Sequence, residues 1–268
     1  MKRTLKVLLK ESGKFSEEEL KLVSKSFDIV GSIAIIQIPK ELERKKKLIA
    51  KAIFEQNKTI KSVYSKGKFY GRLRKQKISW IAGEKNQETI HKENGCRMKL
   101  DVQTCYFSPR LSTDRLEIAN KVKKGEKVLV MFGGVAPYAI VIAKNSKAKE
   151  VVSIELNREC TKYAKENVKL NKLGNIKIIQ GDVKKNLPKE KYDRIVMARP
   201  QLEYDFLKEA YSVSKKGGII HFYDFLEQKD IPDKALKKIK GKVLKWKYVR
   251  EIGVRKYQIR VDFINKGK

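Results

Sequence analysis

The chain has 268 residues, with 63 Lys and Arg against 31 Asp and Glu, so 63 − 31 leaves a net charge of +32 at neutral pH. Its 41% hydrophobic content is enough to bury a sizeable core and excludes global disorder. The longest mostly apolar stretch, Val128 to Ala143, is broken by Gly133, Gly134 and Pro137 and falls short of the roughly 20 residues that span a bilayer. Such a charge exceeds what solubility requires, and its self-repulsion opposes compaction, so a polyanionic partner is implied. Nucleic acid fits best, through phosphate neutralisation and counterion release. An anionic membrane fits less well, because no amphipathic anchor helix is visible.

Along the chain, the spacing predicts a helix over Glu17 to Ser26 with Ser16 as N-cap. Ile29 to Ile38 reads as a β-rich run that ends at Pro39, and Glu41 to Glu55 has the apolar spacing of a helix. Short strand-like pieces follow at Ser62 to Tyr64, Gln76 to Ile81 and Glu88 to Glu93, with Asn94-Gly95 as a turn before Cys96 to Val102. This part is α+β and antiparallel in character. From about residue 110 the pattern becomes a repeated β-loop-α unit. Strands are expected at Lys127 to Phe132, Glu150 to Leu156, Ile176 to Gln180 and Tyr192 to Met197, and after Gly217-Gly218. Helices are expected near 113–123, through Lys144, from Arg158 to Asn171 and near 202–215. The Lys-rich tail, Lys234 to Lys247, reads as a solvated helix and strand. This grammar is that of a doubly wound parallel sheet, and the expected division is 1–104 and 105–268.

A strand, a Gly-containing loop and a helix form a nucleotide-type site, because the loop lets a ligand approach backbone N–H groups. Phe132-Gly133-Gly134-Val135-Ala136-Pro137 is not G-x-G-x-x-G, which disfavours a dinucleotide. Glu155, near the end of the next strand, is placed to accept from a ribose diol, and Asp182 after the third strand can meet an adenine amine. With Phe132, Gly134, Leu156 and Val183 beside them, these residues fit S-adenosylmethionine. The plain alternatives are surface charge for Glu155 and a turn role for Asp182. His91 and His221 lie far apart without Cys partners at ligand spacing, so packing or surface roles and no metal are expected. Cys96, Cys105 and Cys160, widely spaced, suit a reducing cytoplasm rather than a disulfide framework.

Two blocks carry a resemblance: Thr89-Ile90-His91-Lys92-Glu93-Asn94-Gly95-Cys96-Arg97, and Tyr106-Phe107-Ser108-Pro109-Arg110-Leu111-Ser112-Thr113-Asp114-Arg115. They resemble the archaeal and eukaryotic tRNA (guanine-N1)-methyltransferases that act on nucleotide 37, 3′ of the anticodon. Met131 to Pro137 is similar to that family's cofactor loop. Asn167 to Leu173 and Gly217 to Tyr223 also match family blocks. The resemblance implies a Rossmann-like class I methyltransferase domain preceded by an α+β domain that grips tRNA. It further implies S-adenosylmethionine as cofactor, a monomer, and neither metal nor membrane. Asp114 would be the base for guanine N1, where Glu is more usual, and Arg74, or alternatively Arg72, would face O6. Tyr106 and Pro200 would pack around the flipped base. Ser108, Arg115 and Ala198 would border the cofactor, and Arg110 and Arg199 would meet RNA. Asp114 can equally favour its helix start through the dipole. The chain departs from the family at Val130, Ala136 and Ala198, the last in place of an Asn. An aminocarboxypropyl transferase of the wybutosine pathway and a catalytically weak tRNA-binding homologue are the competing readings.

Overall fold

The computed structural model describes residues 3–24, 26–71, 75–199 and 201–267. Arg72, Arg74 and Pro200 therefore lie outside the described residues. The chain divides into two units, one of residues 1–92 and 99–109, the other of residues 93–98 and 110–268.

In the first unit, α1 (Leu5–Glu11) starts at Thr4, whose side chain accepts from the Val7 N–H. This helix is not apparent from sequence, because Leu5, Leu8 and Leu9 form too short a stripe to stand out. Ser16 and Glu19 close a reciprocal capping box at α2 (Glu17–Leu22), satisfying two backbone donors. The β-rich run is divided into β1 (Asp28–Val30) and β2 (Ile33–Ile36). Gly31, at φ +56°, turns the chain between them, a left-handed conformation that glycine adopts without Cβ strain. A 3-10 turn, Lys40–Lys45, leads into α3 (Lys46–Gln56). The long strands β3 (Ser62–Tyr70) and β4 (Lys75–Gly83) complete a sheet of order β1-β2-β3-β4. β2 and β3 run parallel, so the unit is not wholly antiparallel. Leu9, Ile36, Leu42, Ile49, Ile53 and Val63 form its core.

β5 (Glu88–Glu93) and β6 (Cys96–Asp101) form a hairpin whose tip, 93–98, belongs to the second unit. Asn94 and Gly95 both have positive φ, the requirement of a tight two-residue hairpin turn.

The second unit runs α4 (Ser112–Lys121), β7 (Lys127–Met131), α5 (Pro137–Asn145), β8 (Glu150–Glu155), α6 (Arg158–Leu170), β9 (Ile176–Gln180), α7 (Val183–Asn186), β10 (Tyr192–Met197), α8 (Leu207–Val213), β11 (Ser214–Glu227), α9 (Asp233–Leu236), β12 (Lys242–Gly253) and β13 (Lys256–Ile264). The sheet order is β12-β13-β11-β10-β7-β8-β9. β9, β8, β7, β10 and β11 are parallel, and β13 runs antiparallel between β11 and β12. Strands β7, β8 and β10 are buried almost throughout, as expected of strands covered on both faces. The helix expected near 202 starts only at Leu207, because Phe206 takes a left-handed φ of +61° and cannot continue a helix upstream.

The turn out of β7 depends on the absence of a side chain at Gly133. A Cβ there would lie 2.0 Å from Ser153 Oγ on β8, with Ser153 Cβ next at 3.4 Å. Gly133→Ala is therefore expected to destabilise the protein by about 1–3 kcal/mol in denaturant unfolding. Ser153→Ala, which removes the clashing atom, should restore most of that loss. A Gly133→Ala penalty that Ser153→Ala leaves unchanged would contradict this packing account.

Candidate active site

In this sheet the strand order reverses between β7 and β10, and ligands of open α/β sheets bind beyond the carboxyl ends of strands at such a reversal. The register aligns Met131 with Ile154 and with Met197, and Glu155 with Gln180. The four strand ends thus stand side by side across about 14 Å, three inter-strand spacings.

Glu155 ties the first two ends together. Its Oε2 accepts the Gly134 N–H at 2.7 Å and its Oε1 the Asn157 N–H at 2.6 Å. Burial pushes this carboxyl above the ordinary carboxylate range, while the N–H groups of Asn157, Gly134 and Leu156 pull the other way. The carboxylate retains acceptor capacity beyond these N–H groups, which suits a hydroxyl of a ribose. Asp182 ends the β9 loop and caps α7, accepting from Lys184 N at 2.9 Å, with Val183 buried behind it. Ala198 is half-buried at the end of β10. Phe132, at φ +64°, turns its ring edge-on to Phe206 at 4.9 Å, and Tyr204 packs on Phe206 at 4.8 Å. Lys184 Nζ sits 3.6 Å from the centre of the Tyr204 ring, a cation–π contact that joins α7 to the loop after β10. These carboxylates beside the glycine loop, around an apolar floor, fit a nucleoside cofactor. Among the described residues, no group of three His, Cys, Asp or Glu is placed to hold a metal.

From α6, Asn167 reaches the loop from behind, its Nδ2 donating to Val135 O at 3.2 Å. One turn later Asn171 accepts from Arg97 N at 2.9 Å and donates to Arg97 O at 2.6 Å, fixing the hairpin tip. The Asn167 to Leu173 block thus has a physical role that its sequence alone did not disclose.

Asp114 lies in the first turn of α4 and is 4% exposed. Its Oδ2 accepts from the Tyr138 hydroxyl at 2.8 Å and from the Tyr223 hydroxyl. Its Oδ1 is paired with Nη1 of Arg260. Arg260 is fully buried on β13 and also donates to Asp262 at 2.8 Å and to Glu117 at 2.6 Å. Beyond Asp262 the line continues to His221 and Arg194. Arginine only donates, so the 2.8 Å contact of Arg194 Nη1 makes His221 Nε2 an acceptor, and Nδ1–H then donates to Asp262 at 2.7 Å.

The remaining expected residues are placed as follows. Arg115 is 1% exposed and grips Glu93 through two parallel bonds of 2.5 and 2.6 Å, so its guanidinium is committed to the hairpin tip. Arg199 corrects an expectation. Rather than presenting itself to RNA it is 3% exposed, donating to Tyr223 O at 3.0 Å, Leu202 O at 2.8 Å and Asp224 at 2.6 Å. Arg110 is exposed, in the turn Pro109–Leu111. Tyr106 is half-buried and Ser108 buried in the first unit.

A sheet of this order, with a loop at its first strand anchored by an acid at its second, defines a Rossmann-like class I methyltransferase domain. Residues 89–250 match the TRM5/TYW2 methyltransferase domain, and residues 5–86 match the TYW2 N-terminal domain. The tRNA (guanine(37)-N(1))-methyltransferase Trm5b of Pyrococcus abyssi is 42% identical over 257 residues, covering 92% of this chain and 77% of that protein. The solved complex of aTrm5 and tRNALeu superposes with a TM-score of 0.87 at 31% identity, over 98% of this chain and 78% of that one. Methanocaldococcus jannaschii Trm5 in complex with adenosine superposes with a TM-score of 0.82 at 32% identity, over 98% and 79%. The chain belongs to the TRM5/TYW2 methyltransferase family.

The buried line of charges makes stability depend on pH. Burial lowers the pKa of His221, outweighing its bond to Asp262. The unfolded chain takes up that proton near pH 6.5, whereas the folded chain resists it. Stability is therefore full above that pH and is lost as pH falls through the lowered value. Burial pushes Glu117 up, but Lys247, Lys121 and Arg260 together bring it down to about 2, so its contribution is lost only at more acid pH. Urea midpoints should fall between pH 7 and pH 5, and His221→Gln should flatten that fall. An equal slope in the variant would remove His221 as the cause.

Proposed function

We propose that the chain transfers a methyl group from S-adenosylmethionine to N1 of guanosine 37 of tRNA. The observation that carries this reading is 42% identity with Trm5b of Pyrococcus abyssi across 92% of the chain. The adenosine complex of M. jannaschii Trm5 supports the cofactor, and the aTrm5–tRNALeu complex supports the partner. The +32 charge suits a phosphate backbone.

When bound, the cofactor supplies a methyl group activated on a sulfonium. Glu155 and the Gly134 loop hold its ribose side, and Asp182 with Val183 its adenine side. Guanine N1 carries a proton at neutral pH and becomes a nucleophile only when that proton leaves, placing negative charge on O6. A base near N1 and a donor near O6 are therefore needed. Asp114 is the proposed base. Among the described residues, Tyr138, Tyr223 and Arg260 take three of the roughly four acceptor positions of its carboxylate, and the fourth, on Oδ1, is the one proposed to accept the N1–H. Arg74, or Arg72, is the proposed donor to O6. Tyr106 and Pro200 are proposed to hold the base, with Ser108 and Ala198 bordering the cofactor and Arg110 on phosphate.

The TYW2 match of residues 5–86 keeps aminocarboxypropyl transfer as a second reading. Mass spectrometry of a tRNA transcript with guanosine at position 37, after incubation with S-adenosylmethionine, should show one added methyl there. An adenosine-37 control should show none, and an aminocarboxypropyl adduct would favour the second reading. Asp114→Asn should slow methyl transfer about 10²–10⁴-fold with little change in tRNA affinity. Equal losses in rate and affinity would remove its role as base. Affinity for tRNA should fall linearly with salt on a log–log plot, and a flat response would contradict the reading of the charge.

A further inference from the structure

We propose that Arg260 is a positioning residue for the proton-accepting carboxylate, holding Asp114 so that only one of its lone pairs faces an incoming N1–H. The inference rests on the reading of Asp114 as base given above. Donors converge on this carboxylate from three elements: Tyr138 from α5, Tyr223 from β11 and Arg260 from β13. The two phenols fix Oδ2. Among the described residues, Arg260 alone fixes Oδ1, the oxygen that keeps a lone pair, and so sets the direction of that lone pair.

Arg260 is itself fixed. Its Nε donates to Asp262 Oδ1 at 2.8 Å and its Nη2 to Glu117 Oε1 at 2.6 Å, so its guanidinium has one rotational setting. Asp262 is held in turn by His221 at 2.7 Å and Lys121 at 2.7 Å, and Glu117 by Lys247 and Lys121. Arg194 closes the line at His221 and is neutralised by Glu126, while Arg115, beside Tyr138, is neutralised by Glu93.

The charges give the arrangement a chemical consequence. Asp114, Glu117 and Asp262 face Arg260, Lys121 and Lys247, so the cluster is neutral while Asp114 is ionised. Once Asp114 has taken the N1 proton, the cluster carries one positive charge. At that moment the purine carries negative charge on O6, and the two are complementary. Arg260 loses no essential partner in the step, because Asp262 and Glu117 still hold it.

The test is single-turnover methyl transfer at saturating tRNA and S-adenosylmethionine. Arg260→Lys keeps the charge and loses the fork. It should slow the chemical step at least tenfold while the affinities for cofactor and tRNA change less than twofold. In an Asp114→Asn background the same substitution should have no further effect. Asp262→Asn, which loosens Arg260 without touching Asp114, should slow chemistry in the same Asp114-dependent way and stands in if Arg260→Lys does not fold. Parental rates in both variants, or an equal slowing with Asn at 114, would overturn the assignment. Parental activity in Asp114→Asn alone would overturn the base reading and this one with it. A slow Asp114→Asn with a fast Arg260→Lys would overturn this one only.

Discussion

A carboxylate withdrawn from water must be matched by donors or it costs several kcal/mol, and an arginine buried beside it is no less demanding. Asp114 and Arg260 solve this together, at 4% and 0% exposure. Removing Arg260 would leave the Asp114 carboxylate buried with the two phenols as donors and no paired cation, which is why α4, β11 and β13 have to keep their mutual placement. The pair also explains why β11 and β13 carry polar side chains in otherwise apolar runs. His221 and Tyr223 stand two apart on β11, Arg260 and Asp262 two apart on β13, and the period of 2 puts each pair on one face. The antiparallel register sets His221 opposite Asp262 and Tyr223 opposite Arg260.

Much of this was legible before any coordinates. The β-loop-α grammar, the loop after β7, and Glu155 and Asp182 follow from periodicity and spacing, because strands covered on both faces and turns needing glycine leave strong local marks. The misreadings share a cause. The division of the β-rich run 29–38 is hidden because Gly31-Ser32 is a weak turn signal inside such a stretch. The helix near 202 was drawn too long because a left-handed Phe206 has no signature in composition. Arg199 was assigned to RNA because a charge next to a strand end reads as exposed. Its burial depends on Asp224 and the Tyr223 carbonyl, about 25 residues away in sequence. Arg260 had one available signal, an Arg and an Asp alternating with Ile259, Val261 and Phe263, which is unusual in a strand unless the polar face is paired.

The loop after β7 shows how the departures from the family are accommodated. Ala136 takes φ +67°, where a Cβ costs about 1–2 kcal/mol. Its methyl group is fully buried, which offsets about 0.8 kcal/mol, and alanine has less backbone freedom to lose than glycine. The opposing terms are of similar size, so alanine is tolerated without distorting the start of α5. At Ala198 the amide of the family's Asn is missing. The neighbouring Arg199 does not replace it, since its guanidinium is spent on Tyr223, Leu202 and Asp224. What Arg199 supplies is a rigid exit from β10, braced further where Lys238 meets Asp224 at 2.6 Å.

The shorter acid at 114 fits the same logic. The family resemblance sets Glu where this chain has Asp, and an extra methylene would carry the carboxylate beyond the point where Tyr138, Tyr223 and Arg260 converge. The three donors are rooted in separate elements and cannot all follow it, so a longer side chain would lose at least one of them. An arginine on β13 and an aspartate on α4 are therefore a matched pair, in which the length of one side chain is fixed by the reach of the other. Length is surrendered and direction is gained: the carboxylate is short, but held from three sides. On the proposed reading of Asp114 as the base, proton abstraction depends on bringing the guanine to a carboxylate whose direction is already set.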